Sequence, residues 1–264
     1  MPTTTKLSTS SPSPYSTNIG QKSNQKYSIQ QLETAMNSYY NNTLYPLQDK
    51  VLTIIGQLKT PFYLTGGTAL AREYLHHRYS DDLDFFVNQN SKFSHYADLI
   101  VQALSNTRNT QIIHKSTSYY SLQIDNTLKL EFVNDVAHHY GKTKKTPLFY
   151  KVDNIINILS NKLTAIISRD EPKDIVDVWA IANYTKINWP HIFQDANSKA
   201  VGIFPPQIAQ KLTTFPTQLL SQIKWTDQQP NSSTFQQDIK RICNSILSPS
   251  TQPPPTTPTP TTYI

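Results

Sequence analysis

The chain has 264 residues, of which 16% are charged and 37% hydrophobic, so Ser, Thr, Asn and Gln carry most of its polarity. No run approaches the roughly eighteen apolar residues of a membrane-spanning helix, and no apolar stretch follows Lys6 to make a signal peptide. The single cysteine, Cys243, excludes a disulfide framework and a cysteine-based zinc site, which leaves the reducing cytoplasm as the expected compartment. The net charge of +6 permits an anionic partner without demanding one.

Residues 1–24 are rich in Ser, Thr and Pro and contain no acid; such a segment is expected to be a disordered tail. Residues 28–58 read as helical with a break near Pro46, because Leu47, Val51, Ile54, Ile55 and Leu58 recur at helical spacing. Phe62-Tyr63-Leu64 forms a short strand and Thr68–Leu75 a short helix. Asp82–Val87 is a strand, and Ser91–Ser105 an amphipathic helix. Gln111–Lys115, Tyr119–Ile124 and Leu128–Val133 alternate as strands, the last two joined at the turn pair Asp125-Asn126. A helix over Asn154–Ser168 takes Asp153 as its N-cap, and another runs from Pro172 to Ala182, since proline suits a first helical turn. Residues 189–247 continue as helices with proline-containing breaks, and 248–264 form a second low-complexity tail. Strands in the first half and helices in the second predict an α+β domain over 25–150 followed by a helical domain over 151–247.

Three clusters carry chemistry. Gly66-Gly67 follows an apolar strand and precedes a helix, where a glycine pair either makes a tight turn or lets the backbone approach a ligand. Thr68 then stands where free N–H groups and the helix dipole favour phosphate. Neither a P-loop nor a G-x-G-x-x-G pattern is present. In Ser80-Asp81-Asp82-Leu83-Asp84-Phe85 the two-residue period points Asp82 and Asp84 the same way and Leu83 and Phe85 into the core. Two such carboxylates are either solvated on an edge strand or share a cation, Mg²⁺ or Mn²⁺ by their oxygen chemistry. Glu131 alternates with Leu130 and Phe132; if its strand neighbours Asp82–Val87, three carboxylates converge. In the third cluster Lys162 and Arg169 share one side of a helix, and Asp174 and Asp177 share a face of the next. These charges suit a triphosphate, or else form surface pairs such as Lys173 with Asp177.

In order, the segments Phe62 to Leu70, His77 to Phe86, Leu130 to Phe132 and Lys162 to Asp177 resemble the AbiEii/AbiGii nucleotidyltransferase toxin family, within the DNA polymerase beta-like superfamily. The resemblance implies a minimal nucleotidyltransferase fold, a mixed β-sheet flanked by helices, with a helical C-terminal domain. It implies transfer of a nucleotide from an NTP, with Mg²⁺, to an acceptor hydroxyl. The acceptor expected is RNA such as tRNA, with a small molecule or protein as the alternative, or a non-catalytic RNA- or partner-binding module. A cognate antitoxin protein is a further implied partner. By motif match, Gly66, Gly67 and Thr68 hold the triphosphate, and Arg78 and Ser80 shape the nucleotide pocket. Lys162, Arg169 and Asp177 also serve the nucleotide, and Asp174 and Asp177 match the later acidic motif, with a structural or base-like role. Asp82, Asp84 and Glu131 bind metal and, with Lys162 and Asp174, carry catalysis. Thr68 replaces the more frequent Ser, and Glu131 the more frequent Asp. The basic stretch His138–Lys151 holds Lys142, Lys144, Lys145 and Lys151 among Tyr140, Phe149 and Tyr150, either as an RNA-binding segment or as a solvated loop.

Overall fold

The computed structural model describes residues 28–248. Apart from Ser248, the two tails expected at 1–24 and 248–264 lie outside that range. Helix α1 (Ile29–Tyr39) starts at a capping box in which Ser28 and Gln31 exchange bonds. It runs into α2 (Tyr45–Gln57) through a widened turn at Tyr40–Leu44. Pro46 has no N–H to offer the preceding turn, so the expected break takes the form of this local i→i+5 pattern.

Strand β1 (Tyr63–Thr65) leads into α3 (Gly66–Ala69), which widens over Leu70–Leu75 and stops at His76, a residue in the left-handed region at φ 51°. Then follow β2 (Leu83–Asn88), α4 (Phe93–Ser105), β3 (Thr110–Lys115), β4 (Tyr119–Ile124) and β5 (Leu128–Asp135). Asp125 and Asn126 both have positive φ, the geometry a two-residue hairpin requires. The sheet order is β1-β2-β5-β4-β3, with β2 and β5 parallel and the other pairs antiparallel. The strand neighbourhood on which the three-carboxylate expectation depended therefore exists. Asp84 stands level with Glu131 on one side and Thr65 on the other.

The period of two sorts the sheet faces. Leu83, Phe85 and Val87 of β2, with Leu128, Leu130 and Phe132 of β5, are buried in one core with α4 residues Phe93, Ala97, Ile100 and Leu104. Asp84, Phe86, Glu131, Val133 and Asp135 fall on the other face and line a cleft. Helix α5 (Ile155–Ser168) closes that cleft and packs between α6 (Pro172–Tyr184) and α7 (Trp189–Lys199). Helices α8 (Pro205–Thr213) and α9 (Ser232–Leu247), with a 3-10 segment at Thr217–Gln222, complete the helical half. The N-cap of α5 is Asn154, not Asp153. Asp153 instead lies buried beneath β1, accepting from the Thr65 hydroxyl at 2.6 Å, Asn157 at 2.8 Å and His139 at 3.0 Å. Residues 151–153 pair with the outer edge of β1, where Leu64 N–H donates to Lys151 and Asp153 N–H to Leu64, each at 2.9 Å. One buried apolar cluster runs through both halves of the chain, across position 150. Among the described residues no helix is long and apolar enough to cross a membrane.

Candidate active site

The cleft between the sheet face and α5 has a volume of about 380 Å³. The glycine pair forms one lip, and its composition follows from contact geometry. Gly66 has φ +67°, and a Cβ there would lie 2.2 Å from Oδ2 of Asp84. At Gly67 a Cβ would lie 2.7 Å from the Arg78 guanidinium and 3.0 Å from the Ser80 hydroxyl. Any side chain at these positions would displace cleft-lining groups. Gly66→Ala is expected to cost about 1–2 kcal/mol through its left-handed backbone alone. It should reduce turnover far more than stability, because the methyl occupies the place of the Asp84 carboxylate. Thermal melts and NTP turnover compared side by side check this; near-wild-type turnover would contradict it.

Thr68 does not face the cleft. It is fully buried, and its hydroxyl donates to the backbone carbonyl of Asp82, tying the glycine turn to the start of β2. The loop between α3 and β2 is held from two directions. From α2, the Gln48 amide donates to the Ser80 and Asp81 carbonyls at 3.1 and 3.0 Å. From the helical half, Lys224 carbonyl accepts from Tyr79 N–H at 2.7 Å, and Arg78 pairs with Trp225 as an isolated β-bridge.

A buried charge network backs the other wall. Arg78 donates to both oxygens of Asp177, from Nε and Nη2, at 2.8 Å each. Lys162 Nζ bridges Asp174 and Asp177, 2.7 Å from each. Arg169 reaches Asp174 at 2.7 and 3.1 Å, and His77 reaches Asp177 at 2.9 Å. The Lys173–Asp177 surface pair does not form. Asp177 is wholly buried and committed to Arg78, Lys162 and His77, while Lys173 lines the cleft. Asp174 and Asp177 are absent from the cleft lining; they stand behind the cations that face it. Burial alone would lift the Asp177 carboxyl, but Arg78 and Lys162 outweigh it and hold it well below the usual carboxylate range. The same pair of aspartates keeps the buried Lys162 charged against its desolvation.

Asp82 and Asp84 behave differently. Among the described residues neither side chain has an ion-pair or hydrogen-bond partner, and both line the cleft. Burial, then the charges of Glu131 and Asp82, push Asp84 up to about 6, and burial raises Asp82 as well. Glu131 is level with Asp84 but already engaged, by Lys129 at 2.7 Å and by the Tyr119 hydroxyl. Burial works to raise it, and these two partners more than reverse that, leaving it below its ordinary value. Among the described residues no three acidic, His or Cys side chains close on a point where an ion could sit. The register brings the three carboxylates to one cleft, while Lys129 and Tyr119 hold the third aside.

Lys173, Asn161, Asp135 and Lys199 are among the cleft residues not singled out as site residues from the sequence. Asp135 continues the alternation of Glu131 and Val133, so extending β5 by two residues would have found it. Lys199, in the last turn of α7, carries no signal distinguishing it from a lysine that complements a helix dipole. The aromatic residues of His138–Lys151 are used by the fold. Phe149 is buried, Tyr150 donates its hydroxyl to the Thr60 carbonyl, and Tyr140 packs edge-on against His191 at 4.7 Å. Lys142 and Lys145 remain exposed.

A family model described as "Nucleotidyl transferase AbiEii toxin, Type IV TA system" matches residues 51–254. No curated protein sequence matches the chain. Among solved structures, the fold is similar to JHP933 from Helicobacter pylori, with TM-score 0.53 and 20% identity over 78% of this chain and 92% of that one. It is also similar to MenT4, a nucleotidyltransferase toxin from Mycobacterium tuberculosis, with TM-score 0.55 and 12% identity over 83% and 90% of the two chains.

Proposed function

The chain belongs to the AbiEii family of nucleotidyltransferase toxins, and on that premise we propose that its cleft transfers a nucleotide from an NTP to a hydroxyl of RNA, with a divalent cation. One observation carries the reading: two unpartnered carboxylates, Asp82 and Asp84, share a cleft with the cations Lys162, Arg169 and Lys173. In a structural charge cluster opposite signs pair off. Here Lys162 and Arg169 are organised by Asp174 and Asp177, and the two acids at the glycine turn are left over.

Asp82 and Asp84 suit Mg²⁺ or Mn²⁺: both are oxygen ligands, partly desolvated, and destabilised by mutual repulsion that a cation relieves. When bound, such an ion supplies charge neutralisation at the phosphates and activation of the attacking hydroxyl. The protein's part is placement. The backbone at Gly66 and Gly67 lets phosphate approach without Cβ obstruction. Lys162 offers a point charge whose direction is fixed by two buried aspartates, and Arg169 a planar donor set held by Asp174. Asp174 and Asp177 therefore act as positioning residues for the cations. The acceptor surface includes the exposed Lys142 and Lys145, which would meet RNA phosphate. The family context adds a cognate antitoxin as partner.

The test incubates the full chain with Mg²⁺, each α-labelled NTP and total cellular RNA, beside an Asp82→Ala/Asp84→Ala variant. Label is expected in RNA with the wild type only, and addition of EDTA should abolish it. Equal labelling by the double variant, or labelling that survives EDTA, would refute the assignment of the two carboxylates. Pyrophosphate release with unlabelled RNA would redirect the acceptor to a protein or small molecule.

A further inference from the structure

The cleft extends well beyond the groups used above. Along β5 its floor runs from Glu131 through Val133 to Asp135, a distance of about 13 Å at strand rise. Phe86 of β2 lies beside Val133 and makes that floor apolar, and Ile158 of α5 supplies part of the opposite wall. This part of the cleft is a slot about one nucleoside long, with apolar Phe86, Val133 and Ile158 at its middle, and it begins where the phosphates are placed by the reading above.

Two polar residues line it. Asn161 precedes Lys162 on α5 and its amide meets α7. Lys199 Nζ sits 2.8 Å from Oδ1 of Asn161 and 2.6 Å from Oδ1 of Asn157. An ammonium only donates, so the Asn161 oxygen must face Lys199. Its Nδ2 is then left as a donor with no partner among the described residues, on a residue that lines the cleft. Asn157 is committed to the fold at both ends of its amide: its oxygen also accepts from Tyr140 N–H at 3.0 Å, and its Nδ2 donates to Asp153 at 2.8 Å. At the far end stands Asp135, a cleft carboxylate with no ion-pair partner among the described residues.

We propose that this slot is the nucleobase subsite for the incoming NTP, and that Asp135 selects bases carrying an amino group on the edge farthest from the sugar. The inference rests on the nucleotidyl-transfer reading of the same cleft. In a pyrimidine the sugar-proximal O2 accepts from the Asn161 amide whichever base is present. The distal group is an amino donor in cytosine and a carbonyl in uracil. In a purine it is an amino group in adenine and a carbonyl in guanine. A carboxylate level with that group accepts from the amino group but repels the carbonyl, and uracil or guanine can then offer it only the neighbouring ring N–H after a sideways shift. Lys199 is a positioning residue, fixing which end of the Asn161 amide faces the slot.

The test is equilibrium binding of ATP, CTP, GTP and UTP to the full chain with Mg²⁺, measured without acceptor, alongside turnover. CTP is expected to bind at least about 10-fold more tightly than UTP, and ATP than GTP, the scale of one lost bond to a charged group. Asp135→Asn should bring both ratios towards one, because a carboxamide can rotate to accept from an amino group or donate to a carbonyl. Lys199→Met should weaken all four nucleotides with less effect on turnover at saturation. Equal affinities in the wild type, a preference for UTP or GTP, or ratios unchanged in Asp135→Asn would overturn the proposal. Binding with the expected ratios but no turnover would count against nucleotidyl transfer and leave the subsite standing; binding of none of the four would overturn both.

Discussion

Replacing Asp84 with Asn is expected to raise thermal stability while removing nucleotidyl transfer. Asp84 sits beside Asp82 and Glu131, partly desolvated, with a pKa of about 6 against an ordinary 3.8. A carboxyl whose pKa is raised by folding binds protons more tightly in the folded state. Stability is therefore fully present below about pH 4, falls as pH rises to about 6, and stays reduced above that. The full shift corresponds to about 3 kcal/mol. Solvent reaching this cleft residue brings the expected loss nearer 2 kcal/mol. Asn keeps the shape and carries no charge, so melts at pH 7.5 should rise by several degrees and the slope between pH 4 and 6 should flatten. Turnover should drop by about 10²–10³-fold or more, since the group that draws the cation is gone. A variant as active as wild type, or one less stable at neutral pH, would contradict the placement of this carboxylate.

Asp177→Ala is expected to have the opposite balance, with a large loss of stability. It removes the shared partner of Arg78, Lys162 and His77, of which Arg78 and Lys162 are buried with it. Breaking a buried pair leaves uncompensated charge, at about 3–5 kcal/mol. Because Arg78 packs against Gly67, its release should also disorder the phosphate lip. Asp177→Asn retains some hydrogen bonding and should fall between the two. Chemical denaturation of the three proteins gives the ranking directly; an alanine variant within about 1 kcal/mol of wild type would show that the network contributes little.

Much of this candidate site is legible in the sequence, for definable reasons. Alternation placed Asp84 and Glu131 on the polar faces of their strands, and the parallel pairing put them level. The glycine pair marked the turn, and helical spacing put Asp174 and Asp177 on one face. What spacing could not supply was the other side of each contact. His77 and Arg78 meet Asp177 across separations of 100 and 99 residues. Without them, Lys173 four residues away was the natural partner. Thr68 looked like a phosphate ligand because its hydroxyl had no visible competitor, and that competitor is the Asp82 carbonyl. Asp153 and Asn154 are both good caps; Thr65, Asn157 and His139 decide between them by drawing Asp153 beneath β1.

The loop that carries Arg78, Ser80 and Asp82 is clasped by Gln48 on one side and by residues 224–226 on the other. Arg78 and Trp225 are 147 positions apart, the difference of their numbers. Closing so distant a pair is entropically late in folding, and on the ribosome the second clasp is synthesised only after the whole sheet and the first eight helices. The order of assembly is thereby fixed by topology. The strands that carry the acids can form early, but the loop feeding them is not anchored until residues 224–226 have been made. For a protein whose family is defined by toxicity, a nascent or prematurely ended chain lacks the second anchor of its own active loop.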